Sequence, residues 1–241
     1  MDNASQSQLK QILAERLKAV EGRIEAACRR VGRPRSEVTL VAVTKTISAE
    51  IAALLPSLGV ADLGESRPQE LWRKADHLSK TAPGVRWHQV GHLQRNKLEA
   101  TLPLVHLIHS VDSVRLLTAL EQEAAKQDRS VMVLLEVNVS REANKHGFSP
   151  EEISGLAKPI SNLKHVQVTG LMTMAALEST IEQCRKTFAE LRQLRDRMRT
   201  DFSSPHDLHQ LSMGMTNDFE VAIEEGATMI RLGTVLFEGL S

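Results

Sequence analysis

The sequence predicts an α/β fold: one closed barrel of eight parallel strands, of the (β/α)8 TIM type, with an extra N-terminal helix. Three observations lead there. Eight short apolar runs alternate with longer amphipathic stretches over about 200 residues. Nearly every run ends in a polar or small residue, as barrel strands do where they reach an open mouth. No Gly-x-Gly-x-x-Gly follows the first run, so the open doubly wound sheet, the alternative, lacks its phosphate fingerprint.

The elements follow in order. Residues 8–31 carry helical periodicity, with Leu9, Ile12, Leu13, Leu17, Val20, Ile24 and Ala27 in one stripe. Gly32 and Pro34 end it. Strands are expected at 38–44, 60–63, 86–90, 104–109, 131–138, 165–170, 208–212 and 228–232. Helices are expected between them at 48–58, 67–79, 92–101, 113–127, 150–160, 177–200 and 217–225. Ser149-Pro150 is a cap followed by proline at the first helical position. Asn217 with Glu220 resembles a capping box, and Gly59 and Gly226 stand where helix C-caps belong. Too few residues follow Thr234 for a normal eighth helix, so the N-terminal segment, 1–35, is expected to fill that gap in the outer ring. No linker or low-complexity tract divides the chain, and 1–241 reads as a single domain.

The 241 residues are 41% hydrophobic and 25% charged, ordinary for a globular protein. Lys+Arg and Asp+Glu are 30 each, which argues against a nucleic-acid or membrane-surface protein. Two cysteines without metal spacing, a polar N-terminus without a secretory signal and no apolar run of transmembrane length suit the cytoplasm. Zero net charge is compatible with a monomer.

Chemistry concentrates at the strand ends. Lys45 closes the run Thr39–Thr44, and alternation puts it on one face with Val41 and Val43. Burial there would disfavour its charged form and free the amine to attack a carbonyl. The bland alternative is a lysine that snorkels to water. Ser212-Met213-Gly214-Met215-Thr216 and Gly233-Thr234 occupy the loops after strands seven and eight, where barrels build phosphate sites. Capping and turn roles are the competing reading of each loop. Arg231 shares a face with Met229 and Gly233 and points to the same mouth, either to pair with a carboxylate such as Glu65 or to donate to a ligand.

Other clusters read as structural. His106 and His109 are three apart on a strand, on opposite faces, and no cysteine or carboxylate cluster has ligand spacing, so no metal is expected. His88 is placed at the mouth and His106 in helix-side packing. The arginines and Lys186 of 177–200 are interleaved with acids and read as a solvated face. Met172, Met174, Met213, Met215 and Met229 read as gap-fillers around the barrel top.

Val41-Ala42-Val43-Thr44-Lys45, Gly64-Glu65-Ser66, Trp87-His88-Gln89-Val90-Gly91-His92-Leu93-Gln94, His109-Ser110-Val111-Asp112-Ser113, Val137-Asn138, Lys145-His146-Gly147-Phe148, Gly170-Leu171-Met172-Thr173-Met174, Leu211-Ser212-Met213-Gly214-Met215-Thr216 and Arg231-Leu232-Gly233-Thr234 run in order along the chain. Together they resemble the pyridoxal phosphate homeostasis protein family. The resemblance implies an alanine-racemase-like barrel with pyridoxal 5′-phosphate on Lys45 as a Schiff base. It implies a phosphate held by Ser212, Gly233 and Thr234, Arg231 at the pyridine nitrogen, and His88, Asn138 and Met172 around the ring, with Ser66 and Met213 also binding the cofactor. It further implies a carrier or regulator of the vitamin B6 pool, with apo-enzymes that use the cofactor as recipients. Ser66 stands where many members have Asn, Ile47 where some have a second lysine, and the tail Phe237–Ser241 departs from the family ending.

The competing function is a weak amino-acid racemase or decarboxylase using the same cofactor. Related racemases oppose a lysine with a tyrosine, and this chain contains no tyrosine. Without the opposed base, two-base racemisation is not expected. A phosphosugar or nucleotide enzyme using the same phosphate loops is a third reading.

Overall fold

The computed structural model describes residues 3–142, 144–176, 178–201 and 207–240. Eight parallel strands close into one barrel in sequence order. They are β1 (Thr39–Val43), β2 (Asp62–Glu65), β3 (Arg86–Gln89), β4 (Val105–Val111), β5 (Val131–Glu136), β6 (Val166–Met172), β7 (Gln210–Ser212) and β8 (Met229–Leu232). Around them lie α1 (Asn3–Arg30), α2 (Ala49–Ala52), α3 (Pro68–Thr81), α4 (Leu98–Thr101), α5 (Val114–Lys126), α6 (Pro150–Ile153), α7 (Ala157–Ser161), α8 (Ile181–Asp201), α9 (Phe219–Glu224) and α10 (Thr234–Phe237).

Several predicted helices are shorter or divided, for local reasons. The stretch 48–58 is α2 followed by a 3₁₀ turn at Pro56–Leu58, because Pro56 has no N–H to continue the ladder. The stretch 92–101 is a 3₁₀ turn, Arg95–Lys97, leading into α4. The stretch 150–160 splits into α6, a 3₁₀ turn at Ser154–Leu156 and α7, with Gly155 at the break. The predicted start of the 177–200 helix falls on Leu177, outside the described residues; the helix begins at Ile181. Ser149 and Glu152 form a reciprocal capping box on α6. The pair expected at Asn217 and Glu220 does not form. Asp218 precedes α9, and its carboxylate turns back to accept from the Met215 N–H.

Two apolar layers hold the barrel. The inner one is small: Leu107, Leu134, Met172 and Met229, with Met132 against them. The outer one lies between strands and helices and contains most of the buried aliphatic side chains. Helix α1 closes the gap left by the four-residue α10. Its buried stripe includes Leu13, Val20, Ile24 and Ala27. Arg16 donates to the Leu236 carbonyl on α10, and Arg33 to the carbonyls of Ile223 and Ala227 beside α9. Ion pairs Arg23–Glu220 and Arg30–Glu224 add orientation. Such exposed pairs contribute little energy, so the apolar stripe does most of the docking. Among the described residues no helix is long and apolar enough to cross a membrane.

Candidate functional site at the C-terminal mouth of the barrel

Strand register sets the site. β1 pairs with β8 so that Val41 lies beside Arg231 and Ala42 beside Leu232. Continuing one residue puts Val43 beside Gly233, where an added Cβ would come within 3.3 Å of the Val43 carbonyl. Lys45 and Gly233-Thr234 therefore emerge on adjacent strand ends. Lys45 is exposed, against the expectation of burial. The strand stops at Val43, and Thr44 begins a turn closed by Ile47 N–H donating to the Thr44 carbonyl. The ammonium thus stands beyond the last layer of barrel side chains. Among the described residues it has no hydrogen bond or ion pair.

The turn beneath it is anchored from outside the barrel. Thr44 donates its hydroxyl to Glu65 Oε1 at 2.6 Å, and Lys74 of α3 donates to the same oxygen and to the Thr44 carbonyl, each at 2.6 Å. Lys74 and Glu65 are both fully buried. Glu65 therefore faces the helix layer rather than the mouth, and it is not the partner of Arg231.

Arg231 forms the floor. It lies inward with Met229 and is buried. Its Nη1 donates to Ser212 Oγ at 2.5 Å on β7, and its Nη2 to the Thr173 carbonyl at 3.0 Å just beyond β6. No carboxylate is within ion-pair distance of it among the described residues. Burial pushes the guanidinium down to about 10, opposed by the charges of Glu136 and Asp218. It remains a cation at neutral pH, and among the described residues three of its five N–H donors are uncommitted.

Below this floor a polar chain runs down the barrel axis. Ser212 Oγ meets His109 Nδ1 at 2.8 Å, His109 Nε2 meets His88 Nδ1 at 2.9 Å, and His88 Nε2 meets Asp62 Oδ1 at 3.0 Å. Arg86 closes the chain on Asp62 with two hydrogen bonds. His88 is thus in the barrel interior, three hydrogen bonds below Arg231, and not at the mouth where the sequence placed it. His106 is exposed, and its ring centroid lies 5.7 Å from that of His88 in an edge-on arrangement, so it is not packed under a helix. The pairing of β3 with β4 slips between Trp87 and His88, which breaks the strict alternation used to separate His106 from His109.

The two glycine loops meet above β7 and β8. Gly214 has φ +93°, and a Cβ there would lie 2.5 Å from the Ala222 Cβ. Val235 N–H donates to Thr216 Oγ1, joining the loops. Gly233 leads into α10, and Thr234 is exposed. Met213 turns its side chain into the outer core and donates its N–H to the Met229 carbonyl, so it offers the mouth neither. Met172 is inward and fully buried, beside Ser212 in register. Asn138 accepts from Ser140 and donates to the Glu142 carbonyl within its own loop. The Ser66 carbonyl accepts from Gln89, and its hydroxyl makes no bond among the described residues.

Sequence reasoning missed three features. Glu136, on the inward face of β5, is a buried carboxyl that burial holds above its ordinary range, reinforced by Asp112 and opposed by Arg231 and His146. Asp62 anchors the axial chain; burial works to raise it, but hydrogen bonds from His88 and Arg86 overcome that and hold it at about 2. At the rim, ligand atoms of His92, Asp112 and His146 lie within 4.8 Å of one another, with His92 and Asp112 hydrogen-bonded at 3.1 Å. Three separate loops supply that trio, so spacing along the chain gave no sign of it.

Comparison with known proteins agrees with this geometry. Residues 16–240 match the alanine racemase N-terminal domain family. The pyridoxal phosphate homeostasis protein of Aquifex aeolicus is 40% identical over 223 residues, 92% of this chain and 96% of that protein. The structure of PipY of Synechococcus elongatus with PLP bound superposes with a TM-score of 0.82 at 33% identity, covering 93% of this chain and 99% of that one. An alanine racemase of Clostridium difficile shares the fold, with a TM-score of 0.71 at 15% identity; 94% of this chain covers 56% of that one. The chain belongs to the pyridoxal phosphate homeostasis proteins, within the alanine racemase N-terminal domain family.

Proposed function

We propose that this chain binds pyridoxal 5′-phosphate, holds it as a Schiff base on Lys45, and serves the intracellular pool of that cofactor as a carrier or regulator in the cytoplasm. One observation carries the reading. A buried guanidinium with uncommitted donors and no carboxylate in contact floors a mouth whose rim bears an unpaired lysine. Such a floor suits a neutral or anionic acceptor, and such a lysine suits an aldehyde. The neighbouring loops suit a phosphate, since the exposed Thr234 offers a hydroxyl and successive backbone N–H groups can cradle an anion, while Gly214 and Gly233 let those loops pack tightly on α9 and β1. The group therefore fits the residues. Arg231 would face the pyridine nitrogen, Gly233 and Thr234 the phosphate, and Met172 the ring. The cofactor itself supplies a reactive aldehyde and a conjugated ring. Family membership supports the same reading, as does a relative whose structure was solved with PLP bound.

Borohydride reduction of the protein loaded with the cofactor, followed by peptide mass analysis, is the test. The expected result is a phosphopyridoxyl adduct on Lys45 that is absent from a Lys45→Ala variant. An adduct on another lysine, or none, overturns the assignment.

A further inference from the structure

We propose that His109 and His88, anchored on Asp62, are positioning residues that fix the hydroxyl proton of Ser212 and so hold Arg231 aimed at the bound cofactor. The inference rests on the cofactor reading above and adds a part of the barrel that reading does not use.

With His88 neutral, donor and acceptor rules fix the direction of every bond in the chain. The Asp62 carboxylate, ionised at neutral pH, can only accept. His88 Nε2 must therefore carry a proton. In a neutral imidazole the other nitrogen is then bare, so His88 Nδ1 accepts from His109 Nε2–H. Burial, reinforced by the charge of Arg231, holds His109 well below its ordinary range and keeps it neutral. Its Nδ1 is then bare too, and only the Ser212 hydroxyl can donate to it. The oxygen of Ser212 is left with lone pairs, and Arg231 Nη1 takes one of them at 2.5 Å. The guanidinium is thus gripped between Ser212 and the Thr173 carbonyl, with its other donors left for a ligand.

Two consequences follow. Ser212 has no proton left for a phosphate oxygen, so its side chain acts on the ring end of the site through Arg231. The phosphate is left to Thr234 and the loop backbone. Were the chain reversed, with His109 Nδ1–H donating to Ser212, the Ser212 hydroxyl would keep its proton and be free to turn it toward the mouth. The groups that face the two imidazoles are Asp62 on β2, Arg86 on β3, His106 on β4, Ser212 on β7 and Arg231 on β8. Asp62 and Arg86 also line a cavity of about 530 Å³ between α1 and the N-terminal ends of β1 and β2, at the barrel end opposite the mouth.

The test uses the full chain, without and with pyridoxal 5′-phosphate. Long-range proton–nitrogen NMR on histidine-labelled protein at neutral pH should find both His88 and His109 as Nε2–H tautomers. Cofactor affinity is then measured by absorbance for wild type, His109→Leu and His109→Gln. A carboxamide places its oxygen and nitrogen about as far apart as the two ring nitrogens, so glutamine can accept from Ser212 and donate to His88. Leucine should weaken binding about tenfold and shift the pH midpoint of the visible band, while glutamine stays within about threefold of wild type. Equal affinity and midpoint in the leucine variant, or an Nδ1–H tautomer of His109, overturns the proposal. If the leucine variant does not fold, the wild-type tautomers and the glutamine variant decide. A wild type that binds no cofactor overturns the functional reading itself, a result distinct from normal binding by His109→Leu.

Discussion

Lys74→Met tests whether the turn carrying Lys45 depends on the buried ion pair behind it. Lys74 and Glu65 are 1% and 0% exposed, and their charged atoms are 2.6 Å apart. Methionine keeps most of the side-chain length and removes the charge. It leaves Glu65 buried with one hydrogen bond, from Thr44, and with an Oε2 that has no partner even in the parent. Removing one member of a buried pair costs about 3–5 kcal/mol, because the other charge stays behind uncompensated. The Thr44 carbonyl also loses its lysine donor, worth about 1 kcal/mol. At a urea dependence of about 3 kcal/mol per molar, the unfolding midpoint should fall by about 1–2 M. The fluorescence of Trp72 and Trp87 reports it, since both sit in the affected sector on α3 and β3. Lys74→Met with Glu65→Leu should recover most of the loss, because an apolar pair of similar volume is about as stable as a buried ion pair. A single variant within about 1 kcal/mol of the parent, or a double variant no better than the single, refutes the argument.

Two further outcomes can be stated briefly. Asp62 is held at about 2, against an ordinary value of 3.8. That difference contributes about 2.5 kcal/mol of stability above pH 4, lost as pH falls through 2; acid titration by circular dichroism should show this part of the limb missing in Asp62→Asn. Gly214→Ala puts a Cβ into Ala222 at a left-handed φ, and should cost about 2–5 kcal/mol by thermal melting and weaken cofactor binding.

The barrel was legible because its signals are local. Each strand is one apolar run closed by a polar residue, and period-two alternation alone put Val41 and Val43 inward and set Arg231 beside Met229 on the inner face. The depth of a side chain inside the barrel is not local, because it depends on how far each strand is staggered against its neighbour. His88 therefore read as a mouth residue, although the stagger sinks it three hydrogen bonds below Arg231. Glu65 read as a strand-end carboxylate for the same reason: whether it faces the mouth or α3 depends on one residue of register. The axial chain joins positions 62, 88, 109, 212 and 231, each ordinary in its own segment, and only closure of the sheet brings them into line. The tie between α1 and α9–α10 was legible from α1 itself, since its apolar stripe from Leu9 to Ala27 needs a surface to cover.

Whether the cofactor is held or put to work turns on two groups. A cation opposite the pyridine nitrogen leaves that nitrogen unprotonated, and the ring then stabilises a carbanion poorly. Arg231, held at about 10, stays a cation at neutral pH, so if it faces that nitrogen as proposed the sink would be weak. Proton exchange on an amino acid also needs a second base facing Lys45, and the chain has no tyrosine to supply a phenol. Glu136 is a buried carboxyl on the inward face of β5. Burial raises it, so the protein is stabilised with Glu136 protonated and loses that stability as pH rises from the ordinary carboxylate value through the raised one. Glu136→Gln should therefore equal the parent at pH 4 and exceed it at pH 8 in urea midpoint. Incubation of loaded protein with L-alanine, followed by circular dichroism, should give no racemisation above the free-cofactor rate. Turnover that rises through the Glu136 titration and disappears in Glu136→Gln would make that carboxylate the missing base, and the protein an enzyme in place of a holder.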